Sequence, residues 1–327
     1  MTPPSHLGSI GQLLIEAGRL SRQQVEAALQ RQSGTVDTSL IGEILVQEGA
    51  ISQWELLDFL FRQLTREREE YRNNPTFTPA IRFVDVEKVL DGRRVLKGVS
   101  LAIPKGKITA IIGVSGGGKS VTLKHMIGLM RPDRGEVWVG DRVLSGLSRK
   151  ELVAVRSRFS MLFQGSALFD SLNVFDNVAF PLREMTRLPE ADIRSRVEKA
   201  LCQVNLDGMG DKFPDDLSGG MMKRTALARA MVTLPEIILL DEPTAGLDPI
   251  IENSIHHLIC DTYMRSRYTM VVITHAVPEI FNWCHHAVVL HEGAILEAGP
   301  SLEVLHSKHP VIQQLINGAL TGPIKVI

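Results

Sequence analysis

The stretch that decides the fold is GVSGGGKS, from Gly113 to Ser120. It fits the pattern G-x-x-x-x-G-K-[ST], a loop whose backbone N–H groups wrap phosphates while Lys119 reaches the β- and γ-phosphate oxygens and Ser120 offers a hydroxyl to Mg²⁺. At average residue usage, a chance match in a chain of this length has a probability of roughly one per cent. The alternative interpretation, a flexible Gly-rich turn, is therefore disfavoured.

The residues on either side of this loop support the same interpretation. Ile108–Ile112 is a short apolar run that predicts a buried strand, and Ser120–Met130 predicts a helix. Phosphates bound by the loop would then lie at a helix N-terminus, where free N–H groups and the helix dipole favour anions.

Length and composition bound the rest of the molecule. A chain of 327 residues is long enough for about two domains. The net charge of −1 does not show the excess of basic residues that is typical of nonspecific nucleic-acid binding. Cys202, Cys260 and Cys284 are scattered and suggest neither a disulfide framework nor a zinc site, which is consistent with a reducing cytosol.

No segment predicts secretion or membrane insertion. The start, MTPPSHLGSI, lacks the basic and apolar regions of a signal peptide. Apolar runs such as Ile237–Leu240 and Met270–Ile273 are far too short to cross a bilayer. We therefore expect any membrane role to come through a partner.

Residues 1–65 contain an internal repeat with an offset of 31. The matching pairs are Ile10-Gly11 and Ile41-Gly42, Leu14-Ile15 and Leu45-Val46, Gly18 and Gly49, Val25 and Leu56, Leu29 and Leu60, and Gln32 and Gln63. Each copy predicts a short helix ended by Gly, then a second helix with Ser21 or Ser52 as its N-cap. We expect the two copies to pack their apolar faces together as a small all-α repeat domain.

This repeat resembles the N-terminal domain of type II secretion and type IV pilus ATPases, some members of which bind cyclic di-GMP. The binding version begins each copy with Arg, where this chain has Ser9 and Leu40. Neither residue supplies the guanidinium group that pairs with phosphate and stacks on a base. We therefore favour a protein-docking or structural module, with cyclic di-GMP binding as the less favoured alternative.

The pattern changes twice beyond the repeat. Residues 66–79, REREEYRNNPTFTP, predict a charged helix end followed by an extended linker. From Ile81 onward, short apolar strands alternate with helices, which is typical of an α/β sheet covered on both faces. We place this larger domain at residues 80–300 and a C-terminal tail at residues 301–327.

Six motifs in the larger domain resemble, in order, those of ABC-type ATPases. They are the Walker A loop Gly113–Ser120, a glutamine loop centred on Gln164, the signature LSGGM at Leu217–Met221, the Walker B run ending in Asp241-Glu242, a D-loop ending in Asp248, and a switch histidine, His275. The resemblance implies an α/β P-loop NTPase of ABC type, with a mixed-sheet core and a helical subdomain. It also implies ATP hydrolysis with Mg²⁺.

The resemblance assigns roles to residues that follow the apolar runs. Asp241 comes after Ile237–Leu240, so its carboxylate would lie at the carboxyl end of a buried strand and hold Mg²⁺ through water. Glu242 would then act on the attacking water as general base or positioner. Taken alone, an Asp-Glu pair is more often a solvated turn, and a lone His at a strand end is more often a packing residue. The order of the motifs favours catalysis and makes His275 a γ-phosphate contact.

Gln164 follows the strand-like run FSMLF and leads into residues 166–184. The resemblance implies that it touches Mg²⁺ and water and links the nucleotide to a docking surface; the alternative is an ordinary polar loop residue. The predicted catalytic residues are Glu242, His275, Gln164 and Lys119, and the predicted Mg²⁺ ligands are Ser120, Gln164 and Asp241. His256-His257 and His285-His286 are adjacent in sequence, so they predict surface or packing residues rather than a metal site.

LSGGM begins a further predicted helix, so Ser218, Gly219 and Gly220 would form another phosphate-binding N-terminus. The resemblance implies that it serves the nucleotide of a second copy of the chain. Two copies related by a two-fold axis would then build two sandwiched ATP sites. The predicted ATP contacts are Gly113, Val114, Ser115, Gly116, Gly117, Gly118, Lys119, Ser120 and Val121 in one copy, with Ser218, Gly219, Gly220 and Asp248 from the other. One departure is Leu90, which stands where the family usually stacks an aromatic ring on adenine, so we expect weaker or less base-selective binding.

Segments outside these motifs resemble the ATPase subunit of Mla/Mce-type lipid transporters. They are Ser160–Glu184, the run Asp248-Pro249-Ile250, HAVPEIF at His275–Phe281, and Val311–Ile324. The resemblance implies a membrane permease, an Mce-fold substrate-binding protein and sometimes a STAS-domain protein as partners, at the cytoplasmic face of the inner membrane. It also implies that the tail Pro310–Ile324 crosses onto the second copy.

Three alternatives stay open. The chain could serve an importer of amino acids or metals, which shares all six motifs. A non-transport ABC protein is less favoured, because those usually carry coiled-coil insertions or two nucleotide domains. Residues 1–65 could also make the chain a regulated or polarly docked variant.

Overall fold

The computed structural model describes residue 11, residues 14–34 and residues 41–325, and Ser9 and Leu40 of the repeat lie outside these ranges. Among the described residues, the N-terminal part contains the helices α1 (Arg22–Gly34), α2 (Ile41–Gln47) and α3 (Gln53–Asn73), and residues 14–16 are also helical. The predicted N-caps are confirmed: the Ser52 hydroxyl accepts a hydrogen bond from Glu55 N (3.2 Å), and Ser21 does the same for Gln24 N (3.3 Å). Gly18 and Gly49 adopt left-handed φ angles of 67° and 68° at the helix ends, where a side chain would be strained.

The two copies of the repeat pack in equivalent ways. A Cβ on Gly11 would lie 2.7 Å from Val25 Cγ1, and a Cβ on Gly42 would lie 2.4 Å from Leu56 Cδ1. Both glycines therefore let the second helix of their copy approach the first closely. Apolar side chains from both copies are buried in one cluster that continues into the larger domain.

The predicted linker at residues 66–79 is mostly helix, because α3 continues to Asn73. Four of the charged residues, Arg66, Glu69, Glu70 and Arg72, are exposed, and Arg66 pairs with Glu70 at the surface (3.3 Å). Arg68 and Tyr71 of the same helix are buried. The charged run is therefore part of an amphipathic helix that packs on the larger domain. Residues 74–78, between this helix and the first strand, lack regular structure.

The larger domain begins with an antiparallel sheet of order β2-β1-β4-β5. Its strands are β1 (Pro79–Leu90), β2 (Arg93–Pro104), β4 (Arg134–Val139) and β5 (Arg142–Val143). The first two form a hairpin whose turn residues, Asp91 and Gly92, both have positive φ, as a two-residue turn of this kind requires. Our expectation of strands alternating with helices from Ile81 onward was wrong for this hairpin.

A second, mixed sheet has the order β10-β9-β3-β8-β7-β6. Its strands are β3 (Ile108–Ile112), β6 (Phe159–Leu162), β7 (Ile237–Asp241), β8 (Thr269–Ile273), β9 (His286–His291) and β10 (Ala294–Pro300). Five strands are parallel and β10 pairs antiparallel with β9 at the edge. The strand predicted at Ile108–Ile112 is confirmed and is fully buried. The carboxyl ends of β3, β8 and β7 lie side by side at one edge of the sheet.

Helices cover this sheet and build a subdomain beside it. They are α4 (Lys119–Met126), α5 (Arg149–Arg156), α6 (Val174–Met185), α7 (Glu190–Gln203), α8 (Gly219–Met231), α9 (Pro249–Ser266), α10 (Ser301–Leu305) and α11 (Pro310–Asn317), with single 3₁₀ turns at Leu144–Gly146, Pro214–Asp216 and Glu279–Asn282. Helices α6, α7 and α8 pack on one another as the expected helical subdomain. The helix after the phosphate loop ends at Met126, four residues before the predicted Met130.

In the C-terminal tail, α11 packs on its own chain, where Ile312 and Ile316 are buried. Gln314 then holds the residues that follow, since its amide bonds Ile324 N at 2.7 Å and Ile324 O at 2.9 Å. Leu320 is 81% exposed, and contact of this tail with a second copy stays a prediction. No helix in the described part of the chain has the length and apolar character needed to span a bilayer.

Candidate functional site

The phosphate loop connects β3 to α4 through backbone conformations that only glycine adopts freely. Gly113 has φ 155°, and a Cβ there would lie 2.0 Å from the carbonyl oxygen of Leu290 on β9. Gly118 has φ 103° at the N-cap of α4, and a Cβ there would lie 3.0 Å from Leu96 Cδ2. A side chain at either position would displace neighbouring backbone or core. The glycines therefore fix the path of the loop.

Lys119 is buried at the first turn of α4 and lies inside the loop. Its Nζ donates to the carbonyls of Gly113 (2.8 Å) and Val114 (3.0 Å) and lies 3.4 Å from His275 Nε2. Burial lowers the pKa of Lys119, while the carboxylates of Glu242 and Asp241 oppose that shift. Hydrogen bonds to two backbone carbonyls thus hold the ammonium group of Lys119 inside the loop.

Asp241 and Glu242 lie where β7 ends. The register pairs Asp241 with Ile273 on β8, so the residues after both strands meet at the same edge as the phosphate loop. Burial raises the pKa of Asp241, although Lys119 opposes the shift. Glu242 adopts a left-handed φ of 50°, which is rare for a residue with a side chain and marks a constrained position.

Glu242 and His275 contact each other directly. Glu242 Oε2 accepts a hydrogen bond from His275 N (3.2 Å), and Oε1 lies 3.1 Å from His275 Nε2. No donor among the described residues reaches Oε1 with hydrogen-bond geometry, although this oxygen is buried. Burial raises the pKa of Glu242, and burial also lowers that of His275, with Lys119 adding to the decrease. The pair offers a buried carboxylate oxygen able to accept a proton.

The residues of this edge fit a nucleotide phosphate and a divalent cation. The glycine loop, the helix start at Lys119 and its ammonium group suit an anion. The buried Oε1 of Glu242, which accepts no hydrogen bond from the described residues, and the half-buried Asp241 supply oxygens of the kind that Mg²⁺ and its waters prefer. The Ser120 side chain follows Lys119 and is exposed at the same helix start.

Gln164 is exposed, and its backbone is held by a residue that the sequence did not reveal. The buried Nζ of Lys223, on α8, donates to the carbonyl of Gln164 and lies 3.4 Å from that of Glu242. Lys223 therefore ties the glutamine loop and the end of β7 to the helix after LSGGM. A lone lysine on a helix is most often solvated, so the sequence carried little signal for it.

The signature residues form a second group within the chain. Ser218 is the N-cap of α8 and accepts from Met221 N at 3.3 Å. A Cβ on Gly220 would lie 2.7 Å from Ile251 Cγ2 on α9, and one on Gly219 would lie 3.3 Å from Leu247 in the D-loop. Asp248 caps α9 by accepting from Ile250 N and Ile251 N, both at 3.1 Å. The fold thus joins Ser218–Gly220 to the D-loop.

A buried polar cluster includes Thr244, which follows Glu242 by two residues. Thr244 Oγ1 donates to Glu252 Oε1 (2.8 Å) and lies 3.4 Å from His256 Nε2. The His256 ring is 5.3 Å from that of Trp283. His256, like His285 and His286, is a buried packing residue, whereas His257 is exposed beside Phe61.

Comparisons with known proteins agree with this geometry. A family model described as an ABC transporter matches residues 96–245. The intermembrane phospholipid transport system ATP-binding protein MlaF of Escherichia coli is 40% identical over 240 residues, which cover 73% of this chain and 89% of that protein. A Mycobacterium leprae relative named "Probable ribonucleotide transport ATP-binding protein mkl" is 41% identical over 245 residues, covering 75% of this chain and 71% of the relative.

A solved structure shows the same fold. The dimeric ATP-binding cassette MJ0796, in a post-hydrolysis state bound to ADP and Pi, matches with a TM-score of 0.62 and 29% identity, covering 68% of this chain and 98% of that chain. The sheet order and the glycine loop around Lys119 define a P-loop nucleoside triphosphatase. Within that class, the chain belongs to the ATP-binding proteins of ABC transporters and is an ABC transporter ATPase that binds ATP.

Proposed function

We propose that this chain is the ATP-hydrolysing subunit of an Mla/Mce-type transporter that moves phospholipid or another hydrophobic molecule. The observation that carries the proposal is the 40% identity to the E. coli phospholipid transport ATPase across 89% of that protein. The segment Ser160–Glu184, which extends beyond the glutamine loop, and the segment Val311–Ile324 in the tail support it. A second candidate is ribonucleotide transport, which the name of the M. leprae relative favours at 41% identity.

The proposed working unit is a dimer with two sandwiched ATP sites. Ser218 and Asp248 lie together where α8 and α9 begin, while Lys119 lies beside His275, which in turn contacts Glu242. This division supports a site that is completed by Ser218 of a second copy. The dimeric assembly of the MJ0796 cassette is consistent with it.

Each side chain at the proposed site has a defined task. Lys119, with the loop amides, binds and orients the β- and γ-phosphates. Glu242 takes a proton from water at Oε1, and its raised pKa suits a group that must accept one. The backbone N–H of His275 donates a hydrogen bond to Oε2 of Glu242 and holds this carboxylate, while the His275 ring contacts the γ-phosphate. Ser120, Asp241 and Gln164 would hold Mg²⁺, which would supply positive charge to the phosphate oxygens.

Coupling to a membrane permease is the proposed output. The segment after Gln164 carries exposed aromatic side chains, Phe169 at 42% and Phe180 at 38%, whose rings lie 4.7 Å apart. Lys223 Nζ lies at the carbonyls of both Gln164 and Glu242. A movement of the Glu242 backbone would therefore be passed through Lys223 to the segment that carries these aromatic side chains. We place the subunit at the cytoplasmic face of the inner membrane, with a permease, an Mce-fold protein and sometimes a STAS-domain protein as partners and no nucleic acid.

Isolation of the native complex, followed by mass spectrometry of its proteins and small molecules, tests the proposal. We expect a permease, an Mce-fold protein and co-purifying phospholipid. Recovery of a periplasmic amino-acid, metal or ribonucleotide binding protein instead of an Mce-fold protein contradicts it. Recovery without any permease favours a non-transport ABC protein.

The N-terminal repeat is proposed to dock a protein or to serve as structure. A truncation that begins at Ser52 keeps the capped helix α3 whole, whereas removal of residues 1–65 would cut it. We expect this truncation to leave ATPase activity unresponsive to cyclic di-GMP, as in the full chain. A response of the full chain that the truncation abolishes would favour cyclic di-GMP binding.

A further inference from the structure

Arg68, on α3 of the N-terminal part, is a buried arginine that binds backbone carbonyls of the ATPase domain. It is 6% exposed, and its guanidinium donates to the carbonyls of Cys284 (2.9 Å), Asn282 (2.6 Å) and Phe281. These carbonyls lie at the end of the 3₁₀ turn Glu279–Asn282. Carbonyls at the end of a helix lack partners within it, and a cation there also complements their dipoles.

The turn that Arg68 holds is continuous with His275. Val277 N donates to His275 O (2.9 Å), Ile280 N to Ala276 O (3.1 Å), and Cys284 N to Ile280 O (3.0 Å). The backbone from His275 to Cys284 is therefore a series of hydrogen-bonded turns. Arg68 fixes its far end, while the bond from His275 N to Glu242 fixes the near end.

A second path leads from the same turn to Glu242. Trp283 lies within the stretch held by Arg68 and is 2% exposed. Its ring packs 5.3 Å from His256, whose Nε2 lies 3.4 Å from Thr244 Oγ1. Thr244 follows Glu242 by two residues. Glu242 and His275, which contact each other at the site, are thus both connected to the segment that Arg68 holds.

Arg68 lies outside the part of the chain that the ABC family model matches, residues 96–245. The cassette MJ0796 is matched over 98% of its length by only 68% of this chain. Arg68 therefore acts from a helix that the family model does not describe.

We propose that Arg68 is a positioning residue for ATP hydrolysis, which holds the segment after the switch histidine so that His275 stays against Glu242. The proposal rests on the roles proposed above for Glu242 and His275. Arg68 contacts neither Lys119 nor the phosphate loop and acts through His275 and Glu242, so we expect its loss to change the chemical step more than ATP binding.

Steady-state ATPase kinetics of full-length variants test this role. In Arg68→Met, we expect kcat to fall about tenfold, because a small displacement of a catalytic group is costly, while KM for ATP stays unchanged. Arg68→Lys recovers part of kcat, since an ammonium group still donates to the carbonyls. Arg66→Met is the matched control, because Arg66 lies on the same helix and pairs only with Glu70 among the described residues (3.3 Å), so its kinetics should equal wild type.

His275→Ala separates failure of this inference from failure of the proposed site. Full turnover by His275→Ala rejects the role of His275 itself. Slow turnover by His275→Ala together with wild-type kcat and KM in Arg68→Met overturns the role of Arg68 alone. If Arg68→Met does not fold, Arg68→Lys decides: faster amide hydrogen exchange at residues 276–284 with a lower kcat supports the proposal, and unchanged exchange and kcat reject it.

Discussion

Arg267 donates hydrogen bonds to both carboxylate oxygens of Glu67, at 2.5 and 2.7 Å, across 200 residues of sequence. Arg267 ends α9 with a left-handed φ of 54°, and Glu67 lies on α3 beside His285. Burial alone would raise the pKa of Glu67, but hydrogen bonds from His285 and Arg267 lower it well below its usual range. This pair joins the N-terminal helix to the ATPase domain.

Replacement of Glu67 by Gln should destabilise the chain by about 1–3 kcal/mol, because it leaves a largely buried guanidinium without its counter-charge. The free energy of unfolding in urea measures the effect. Glu70→Gln, which breaks only an exposed pair with Arg66, should cost no more than about 0.5 kcal/mol. Equal losses in the two variants would show that the Glu67–Arg267 pair does not anchor α3.

Glu242→Gln should lower ATP turnover by about 100-fold or more, because the amide cannot accept the proton from water. ATP-bound dimers should persist in size-exclusion chromatography, since the residues that bind phosphate are intact. Glu236→Gln, just before the opposite end of β7, is the control and should keep its turnover. Full hydrolysis by Glu242→Gln would falsify the assignment of this residue.

Complementation tests whether two copies share each site. Lys119→Ala and Ser218→Arg should each be inactive, since each disrupts both sites of a dimer. When the two variants are mixed, half of the dimers carry one intact site, so about a quarter of wild-type turnover should return if the sites work independently. Activity of Ser218→Arg by itself, or mixed dimers that stay inactive, would argue for a site built within one chain.

The stability of the chain should fall as the pH decreases from about 6.5 to about 4. Burial lowers the pKa of His285 and of His286 to about 4, so both stay neutral in the folded chain while the unfolded chain takes up protons from about pH 6.5 downward. Protonation would also remove the Nδ1 acceptor that Ile108 N uses in His285 (3.3 Å). Between about pH 4 and 6.5 the unfolded state binds more protons than the folded state. The free energy of unfolding therefore rises with pH across this range and becomes constant above it.

Denaturant unfolding at several pH values, with a histidine variant, measures this effect. His286→Gln keeps an acceptor for the Tyr71 hydroxyl, which lies 3.0 Å from His286 Nδ1. It should reduce the slope of stability against pH by about 1.4 kcal/mol per pH unit between the two pKa values. An unchanged slope in His286→Gln would contradict the prediction.

Leu90→Tyr should tighten ATP binding by about two- to tenfold, because a ring adds a stacking contribution that Leu lacks. Leu90 ends β1 at the hairpin before the phosphate-loop strand. Val89→Tyr points to the opposite face of the strand and is the control. Affinities for ATP and GTP measured by calorimetry decide the matter, and identical values for wild type and Leu90→Tyr would defeat the idea.

The strand at Ile108–Ile112, the glycine loop and the caps at Ser21 and Ser52 could be predicted because their causes are local. A left-handed or crowded backbone admits only glycine, and a Ser hydroxyl satisfies N–H groups a few residues away. The hairpin at Asp91-Gly92 was missed although its cause is local too, since Asp-Gly between two strand-like runs favours a two-residue turn.

The site divides in the same way. The residue order by itself predicted that the loop carrying Lys119, the pair Asp241-Glu242 and His275 lie close together, since each of these three stretches follows an apolar run and the ends of parallel strands meet at one edge. The tertiary structure alone decided that Lys223 holds Gln164, that Glu67 pairs with Arg267 and that Arg68 caps the turn after His275. Such contacts join residues far apart in the chain, and only the packing of helices determines which charged side chains are buried with a partner and which remain in solvent.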